Sequence, residues 1–303
     1  GKMSPGSMHE AWEYTVEKVA INAVMAGAKP EYLPLILAVA SSRITSLFSS
    51  TTSFARIMVV NGPIRDQIGM NSGMGAMGPF NQANAVIGRA WTLMSKNLGG
   101  AGILGDTYMG SQGNSLSYNN LCIAENEAQS PWRPFHVEKG FRPEESVVSL
   151  FHGWSIAHGM GVRNIKKRFQ EQISGLFSIF NVYSSATSLG GALVLMDPLV
   201  AEELKETEGF DTKEKLSQWL YDHSLVNYED FWNNEIVIAF TRPLARQGIE
   251  PFASRIKLPQ DAMMPRFPSP KSINIIVVGG GTNSFWQAGD FRYLGSASVD
   301  AWR

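Results

Sequence analysis

The chain has 303 residues, of which 44% are hydrophobic and 17% charged, and its formal net charge is -1. This length allows one large domain or two closely packed ones, and this composition excludes a disordered or highly charged class of protein. Because the net charge is close to zero, no global field attracts nucleic acid or an anionic membrane, and neither is expected as a partner.

Cys122 is the single cysteine, which excludes a disulfide framework and a cysteine-rich zinc site and favours a cytoplasmic protein. The longest apolar stretches, Tyr32 to Ala40 and Ile273 to Val278, are too short to cross a bilayer. Residues 1–8 are rich in small residues and resemble a processed or added end, so residues 9–303 are predicted to form a single α/β domain. A sub-boundary is placed near residues 142–145.

The first half of the chain alternates between helical and strand patterns, with long glycine-rich stretches between them. We predict helices at 9–26, from Pro30 to about Ser42 and at about 80–97, strands at 55–61 and 121–124, and a loop at 69–78. Gly62-Pro63 ends the first strand, and the second strand leads into Glu125-Asn126-Glu127.

The second half continues the alternation. We predict strands at 147–151, 192–196, 235–240 and 273–278, helices at 165–180, 198–207 and 212–221, and irregular structure at 251–270. The regular exchange of strands and helices favours an α/β fold, with a layered mixed or parallel sheet, flanking helices and long glycine-rich loops.

The loop at 69–78 contains Gly73-Met-Gly-Ala-Met-Gly78, which matches the letters of the dinucleotide-binding fingerprint. About ten residues separate the preceding strand from this motif, and no acidic residue lies near twenty residues beyond it, so NAD or FAD is not expected. Glycine-rich backbone at the start of a helix also suits an anion, with help from Arg65 and Arg89. The equally weighted alternative is a tight structural loop whose methionines pack in the core.

The segment from Glu125 to Glu138 concentrates acids, an amide and an imidazole between prolines. Glu125, Glu127 and His136 are the predicted catalytic residues, because carboxylates and an imidazole can transfer protons near neutral pH. The same three residues with Glu138 could instead bind a divalent metal, although their spacing matches no defined ligand motif. Solvent-facing acids and a structural histidine are the competing interpretation.

Other polar positions are assigned mostly structural roles. His152 and His158 are predicted on a turn near a pocket, His9 and His223 on helix surfaces, and Cys122 as a buried, inert thiol. The triple glycine at 279–281 follows a strong strand, a place where α/β proteins bind ligands, but it lacks the lysine of a phosphate-binding loop.

Several long strings resemble a family associated with short partner polypeptides that carry a UGSC or CGSC motif, with selenocysteine or cysteine first. The strings are Glu17 to Gly27 with Pro30-Glu31-Tyr32, Asn61 to Arg65, Asn71-Ser72-Gly73, Ile87 to Ala90, Glu125 to Glu127, Pro131-Trp132, His136 to Glu138 and Gly140-Phe141. The resemblance covers about residues 16–151 and 277–281. The family pattern often has cysteine where this chain has Ala28, which puts a thiol role at that position in doubt.

The resemblance implies an enzyme subunit that works with a thiol- or selenol-bearing partner chain as an oligomer, because a low-pKa thiol or selenol supplies a nucleophile. We predict that it acts on a small polar or anionic metabolite by proton transfer or carbon–heteroatom bond chemistry. The predicted substrate-binding residues are Arg65, Asn71, Ser72, Arg89, Lys29 and Glu31. The alternatives are a metal-dependent lyase or hydrolase, and a non-catalytic binding or scaffold subunit of a hetero-complex.

Overall fold

The computed structural model describes residues 2–3, 14–47, 51, 53–100, 102–160, 167–179 and 190–303. The strands in these ranges are β1 (Lys2–Met3), β2 (Tyr14–Thr15), β3 (Ala55–Asn61), β4 (Leu121–Ala124), β5 (Val147–Gly153), β6 (Ile156–Met160), β7 (Ala192–Met196), β8 (Leu225–Asn227), β9 (Met263–Pro265), β10 (Ile273–Val277), β11 (Phe285–Gly289) and β12 (Arg292–Ser298). The α-helices are α1 (Val16–Ala26), α2 (Leu33–Ser41), α3 (Ile64–Gln67), α4 (Gln82–Leu98), α5 (Phe135–Glu138), α6 (Phe169–Phe177), α7 (Pro198–Glu206), α8 (Lys213–His223), α9 (Tyr228–Trp232), α10 (Arg242–Arg246) and α11 (Phe252–Arg255).

Two mixed sheets form the centre of the molecule. The first has the strand order β12-β5-β3-β4, in which β3 and β4 are parallel and the other neighbours antiparallel. The second has the order β10-β7-β11-β6, in which β10 and β7 are parallel and the other neighbours antiparallel. Each sheet therefore combines one parallel pair with two antiparallel neighbours.

The two sheets pack face to face and carry helices on their outer faces. Along β3, Met58 and Val60 pack with α1, α2 and α4, whereas Ile57 and Val59 pack in a second cluster with Leu193 and Leu195 of β7. The other face of β7 and β10 packs against α6, α7 and α8. Since side chains alternate between the faces of a strand, this pattern gives four layers, helix, sheet, sheet and helix.

The strands repeat one arrangement twice and exchange one strand. The series β3, β4, β5 corresponds in direction and pairing to β7, β10, β11, and each series continues into a strand, β6 or β12, that pairs in the opposite sheet.

The connection from β5 to β6 lies close to the connection from β11 to β12. A Cβ on Gly153 would lie 2.3 Å from the carbonyl oxygen of Asp290, and one on Gly289 would lie 2.8 Å from that of Ser155. Asp290 Oδ1 also accepts hydrogen bonds from the amides of Trp154 (2.9 Å) and Ser155 (2.8 Å). The halves are thus linked through both connections.

The predicted α/β fold with flanking helices is confirmed, and so are most of its elements. The helix predicted from Pro30 begins as a 3-10 turn, Pro30–Tyr32, before α2. The predicted helices at 9–26 and 165–180 correspond to α1 and α6, but Tyr14–Thr15 at the start of the first is a short strand, β2. The ends at 9–13, 165–166 and 180 lie outside the described residues, as do His9 and most of the processed or added end. The single-domain prediction and its sub-boundary stay predictions.

Three structural predictions are wrong. The strand expected at 235–240 is helical, with a π-helix at Val237–Thr241, because the buried positions Val237 and Thr241 are four residues apart, as on one face of a helix, while Ile238 and Phe240 are exposed. The stretch expected to be irregular at 251–270 contains α11 and β9. His152 and His158 lie within β5 and β6, not on a turn. Among the described residues, no helix is both long and apolar enough to cross a membrane.

Candidate functional site: a cavity between two glycine loops and a buried acid–lysine network

The carboxyl ends of the two parallel strand pairs lie next to each other. After β4, the amide of Glu125 donates to the carbonyl of Val60 (3.1 Å), and after β10 the amide of Val278 donates to that of Met196 (2.9 Å). These bonds occupy corresponding positions in the two halves. Ligands of open α/β sheets bind beyond the carboxyl ends of strands, so this edge is the first place to look for a site.

Asn126 connects the two halves at this edge. Its amide donates to the carbonyl of Val277 (2.8 Å), and its side chain donates to the carbonyl of Gly279 (2.9 Å). The amide of Gly279 in turn donates to the carbonyl of Ser72 (2.8 Å). The segment after β4 thus meets the glycine-rich loop at 69–78 through the glycines after β10.

A cavity of about 210 Å³ lies between the two glycine-rich loops. Its walls come from the loop after β3, the ends of β7 and β10, and the start of β11. They are Met74, Gly75, Ala76, Met77, Gly78, Leu195, Met196, Asp197, Val278, Gly279, Gly280, Thr282, Phe285, Trp286 and Gln287. The two loops approach each other closely at Gly280. A Cβ on Gly280 would lie 3.1 Å from the amide nitrogen of Met74, which is tighter than ordinary contact, so only glycine fits there without a shift.

Polar groups in this cavity are few. Asp197 supplies the carboxylate, and its oxygens accept hydrogen bonds from the amides of Val200 (2.9 Å) and Phe285 (2.6 Å), so the group caps α7 while it lines the cavity. Thr282 and Gln287 add a hydroxyl and an amide. A mostly apolar lining with a few fixed polar groups is typical of sites for small molecules.

A buried network surrounds Glu125 beside the cavity. Its carboxylate accepts hydrogen bonds from Asn61 (2.5 Å), from the amide of Phe135 (2.8 Å) and from the ammonium of Lys213 (2.8 Å). Glu125 and Lys213 have side-chain exposures of 0% and 3%. Because Lys213 lies on α8 of the second half, this ion pair joins the two halves inside the protein.

Glu127 extends the same network toward the surface. Its carboxylate accepts hydrogen bonds from Asn61 (2.9 Å) and from the amide of Gly62 (2.8 Å), and it forms an ion pair with Arg65 (3.1 Å). Arg65 also donates to the carbonyl of Glu125 (2.5 Å). Arg65 therefore holds the acidic segment in place, which is a different role from the predicted contact with a substrate.

Glu138 and Lys139 carry perturbed pKa values near this network. Burial, opposed by the charge of Lys213, raises the pKa of Glu138 to about 7. Its Oε1 lies 3.9 Å from the Lys213 ammonium, so Lys213 lies between two carboxylates. Burial lowers the pKa of Lys139, which donates to Asn274 (2.9 Å) and lies over the ring of Phe135 (4.6 Å).

The predicted four-residue metal site is not assembled. His136 is fully buried, and its Nε2 donates to the carbonyl of Pro143 (3.3 Å), whereas Glu125 and Glu127 are bound by lysine, arginine and amide groups. In the part of the chain that the structure describes, no three His, Cys, Asp or Glu side chains are grouped as metal ligands. The spacing in the sequence did not show that lysine, arginine and amide groups of other segments would bind these carboxylates.

The predicted substrate-binding residues fall into two groups. Asn71 and Ser72 shape the loop: Asn71 donates to the carbonyl of Met74 (2.9 Å), and Ser72 accepts from Gly279. Arg89, Lys29 and Glu31 are exposed and do not line the cavity. Neither group lines the cavity, and Arg65, the sixth predicted residue, binds the carbonyl of Glu125 instead.

Three residues of the cavity or of the buried network were not predicted from the sequence. Lys213 begins an amphipathic helix, Asn61 ends a buried strand, and Asp197 precedes a proline at a helix start. The sequence Asp197-Pro198 after a strand is an N-cap signal that could have marked Asp197. Cys122 is buried as predicted, and burial raises the pKa of its thiol.

No protein-family model matches the chain, and no curated protein or solved structure matches it at a significant level. The resemblance noted from the sequence strings therefore stays a prediction.

Proposed function

We propose that the chain is an enzyme subunit that binds a small polar or anionic metabolite in the cavity between the two glycine loops. The observation that carries the proposal is the cavity itself, placed where two parallel strand pairs end and walled by backbone of residues 74–78 and 278–280. Its volume of about 210 Å³ is below the roughly 300–1,000 Å³ of drug-sized sites, which suits a small metabolite.

The main polar groups of the glycine loops are their backbone amides. Within the described residues, the amides of Met74, Gly75, Met77 and Gly280 donate no hydrogen bond to the protein. Unpaired amides in a concave loop form a site for a carboxylate or phosphate oxygen. Such a ligand would lie near Asp197, whose carboxylate is the group in the cavity that can exchange a proton with it.

In this proposal Glu125 and Glu127 act as positioning residues. They hold Asn61 and Arg65, and the intervening Asn126 holds the carbonyl of Gly279 in the cavity wall. The chemistry would be proton transfer or cleavage of a carbon–heteroatom bond. A thiol- or selenol-bearing partner chain and oligomeric assembly remain part of the same hypothesis.

Two glycine variants test the cavity. Gly280→Leu introduces a side chain against Met74, and we expect it to abolish ligand binding. Gly281→Ala is the matched control, since its Cβ would lie at an ordinary 3.5 Å from Leu199 and Gly281 does not line the cavity. Native mass spectrometry of each protein after incubation with a mixture of small carboxylic and amino acids gives the readout. A ligand that binds both variants equally would refute the proposed site.

A further inference from the structure

The charge of the glycine-loop cavity narrows the class of ligand that it can bind. Asp197 carries the one formal charge among the described residues that line the cavity. Asp197 is 7% exposed, so water screens its carboxylate only weakly. The start of α7 contributes about half a positive charge at this point, which is less than the full negative charge of Asp197. The wall at Asp197 is therefore net negative and disfavours a ligand whose only charged group is a carboxylate or a phosphate.

The Asp197 carboxylate can bind a donor of the ligand while it caps α7. One of its oxygens accepts the amide of Val200 (2.9 Å), and the other accepts the amide of Phe285 (2.6 Å). An ionised carboxylate can accept about four hydrogen bonds, so these two amides do not saturate it. They come from two segments of the chain and fix its orientation. An ammonium group is the ligand donor that gains most at this position, because its hydrogen bond to a carboxylate is charge-assisted.

The glycine loops offer groups of the opposite polarity close to Asp197. Their unpaired backbone amides, such as that of Met74, suit a carboxylate. A Cβ on Gly279 would lie 3.9 Å from Cβ of Asp197, and a Cβ on Gly280 would lie 3.1 Å from the amide nitrogen of Met74. Since these two glycines are consecutive, the acidic group and the amide lie beside the same short piece of backbone. One small molecule can therefore contact both.

The remaining walls are mostly apolar, and the volume is small. Leu195, Met196 and Val278 are among the apolar residues of the lining. A volume of about 210 Å³ leaves room for about seven groups of the size of a water molecule, at roughly 30 Å³ each. This size excludes a nucleotide and suits a molecule with a short aliphatic side chain.

We propose that the cavity binds a small aliphatic α-amino acid as its zwitterion, with the ammonium on Asp197 and the carboxylate on the loop amides. The inference rests on the proposed function, because it names the substrate class of the same cavity. A zwitterion has no net charge, so Asp197 does not repel it as it repels a plain carboxylate. Each charged end of the ligand then meets a group of opposite polarity.

Calorimetric titration of the full chain with matched compounds tests this inference. The probes are L-alanine with propionate and ethylamine, and L-valine with isovalerate and isobutylamine. In each set the second compound lacks the ammonium group and the third lacks the carboxylate. We expect at least one of the amino acids to bind about 10-fold more tightly than both of its analogues, the usual effect of a charged hydrogen bond.

Asp197→Asn separates the charge of this residue from its structural role. Asparagine caps a helix as well as aspartate does, so the variant keeps the start of α7 and loses the negative charge. It should weaken binding of the amino acid about 10-fold without weakening binding of the matched carboxylate. A general loss of folding would weaken both. Asp261→Asn makes the same change of charge at an exposed position outside the cavity and should alter neither affinity.

Two results would overturn the inference: equal affinity of the wild type for an amino acid and its carboxylate analogue in both sets, or an amino-acid affinity that Asp197→Asn leaves unchanged. If Gly280→Leu abolished binding of both compounds in the first case, the cavity would still be the binding site and only the amino-acid class would be wrong. Absence of binding by all of these compounds would also overturn the inference, and the proposed function would then depend on the mass-spectrometry experiment alone.

Discussion

Lys213 donates a hydrogen bond of 2.8 Å to Glu125, and this ion pair between the two halves is almost completely excluded from water. Burial of two charges costs several kcal/mol, and their attraction offsets the cost only when both partners are present with good geometry. The Glu125 carboxylate meets this requirement through its further bonds to Asn61 and to the amide of Phe135.

Lys213→Met should destabilise the protein by about 3–5 kcal/mol, since it leaves a buried carboxylate without its cation. The double variant with Glu125→Gln also removes the unpaired carboxylate charge, and it should regain part of the lost unfolding free energy. Urea unfolding of the wild type, both single variants and the double variant gives the coupling free energy.

Arg133→Gln serves as the control for this pair. Arg133 forms an ion pair with Glu214, but the two side chains are 55% and 53% exposed, so the change should cost about 1 kcal/mol or less. If Lys213→Met cost no more than Arg133→Gln, the buried pair would contribute no more to stability than an exposed one.

Glu138 should make the protein less stable as the pH rises from about 4.5 to about 7. Burial raises its pKa from the ordinary 4.5 of a glutamate to about 7 in the folded protein. Between these values the folded state keeps a proton that the unfolded state has lost, so stability falls with rising pH, by about 3 kcal/mol in total. Above pH 7 this dependence ends.

Glu138→Gln isolates this effect, because glutamine does not titrate. Urea midpoints measured for both proteins from pH 5 to pH 8 should show the wild type losing stability relative to the variant across that range. Parallel curves would mean that Glu138 has an ordinary pKa and that Lys213 compensates its burial.

The layered fold was predictable because its strands are apolar runs bounded by glycine and proline. The strand Ala55–Asn61 is buried along its whole length and is followed by Gly62-Pro63, which gives both the element and its end. The last two strands escaped prediction. Phe285–Gly289 and Arg292–Ser298 contain glycine, serine and arginine, and they are strands because of pairing partners far away in the sequence.

The site was only partly predictable for a related reason. Loop composition identified the residues around Gly73 and Glu125 as special, and they do lie near each other through Gly279. The role of each charge depended on partners sixty or more residues away, such as Lys213 for Glu125 and Arg65 for the carbonyl of Glu125. Local spacing contains no information about such partners.

Gly153→Ala should destabilise the protein by about 1–3 kcal/mol or more, because its Cβ would lie 2.3 Å from the backbone oxygen of Asp290. The two strand-crossing connections would have to separate. Gly175→Ala is the control: its Cβ meets nothing within 4 Å, and alanine favours a helix over glycine by about 1 kcal/mol. Equal urea midpoints for the two variants would show that the connections are not closely packed.

His152 should produce a pH dependence of the opposite sign to that of Glu138. Burial, and then the charges of Arg56 and Arg292, lower the pKa of His152 from the ordinary 6.5 of a histidine to about 2. Below pH 6.5 the unfolded chain therefore binds a proton that the folded protein excludes, and stability falls by roughly 2–3 kcal/mol between pH 6.5 and pH 4.5.

His152→Phe retains a ring beside Phe54, whose centroid lies 4.3 Å from that of the histidine, and removes the titration. The wild type should lose stability relative to this variant on acidification, while it gains stability relative to Glu138→Gln over an overlapping range. The two contributions partly cancel in the wild-type curve alone, so each must be measured as a difference from its own variant. A wild-type and a His152→Phe curve that stay parallel from pH 7 to pH 4.5 would mean that this imidazole can be protonated in the folded protein.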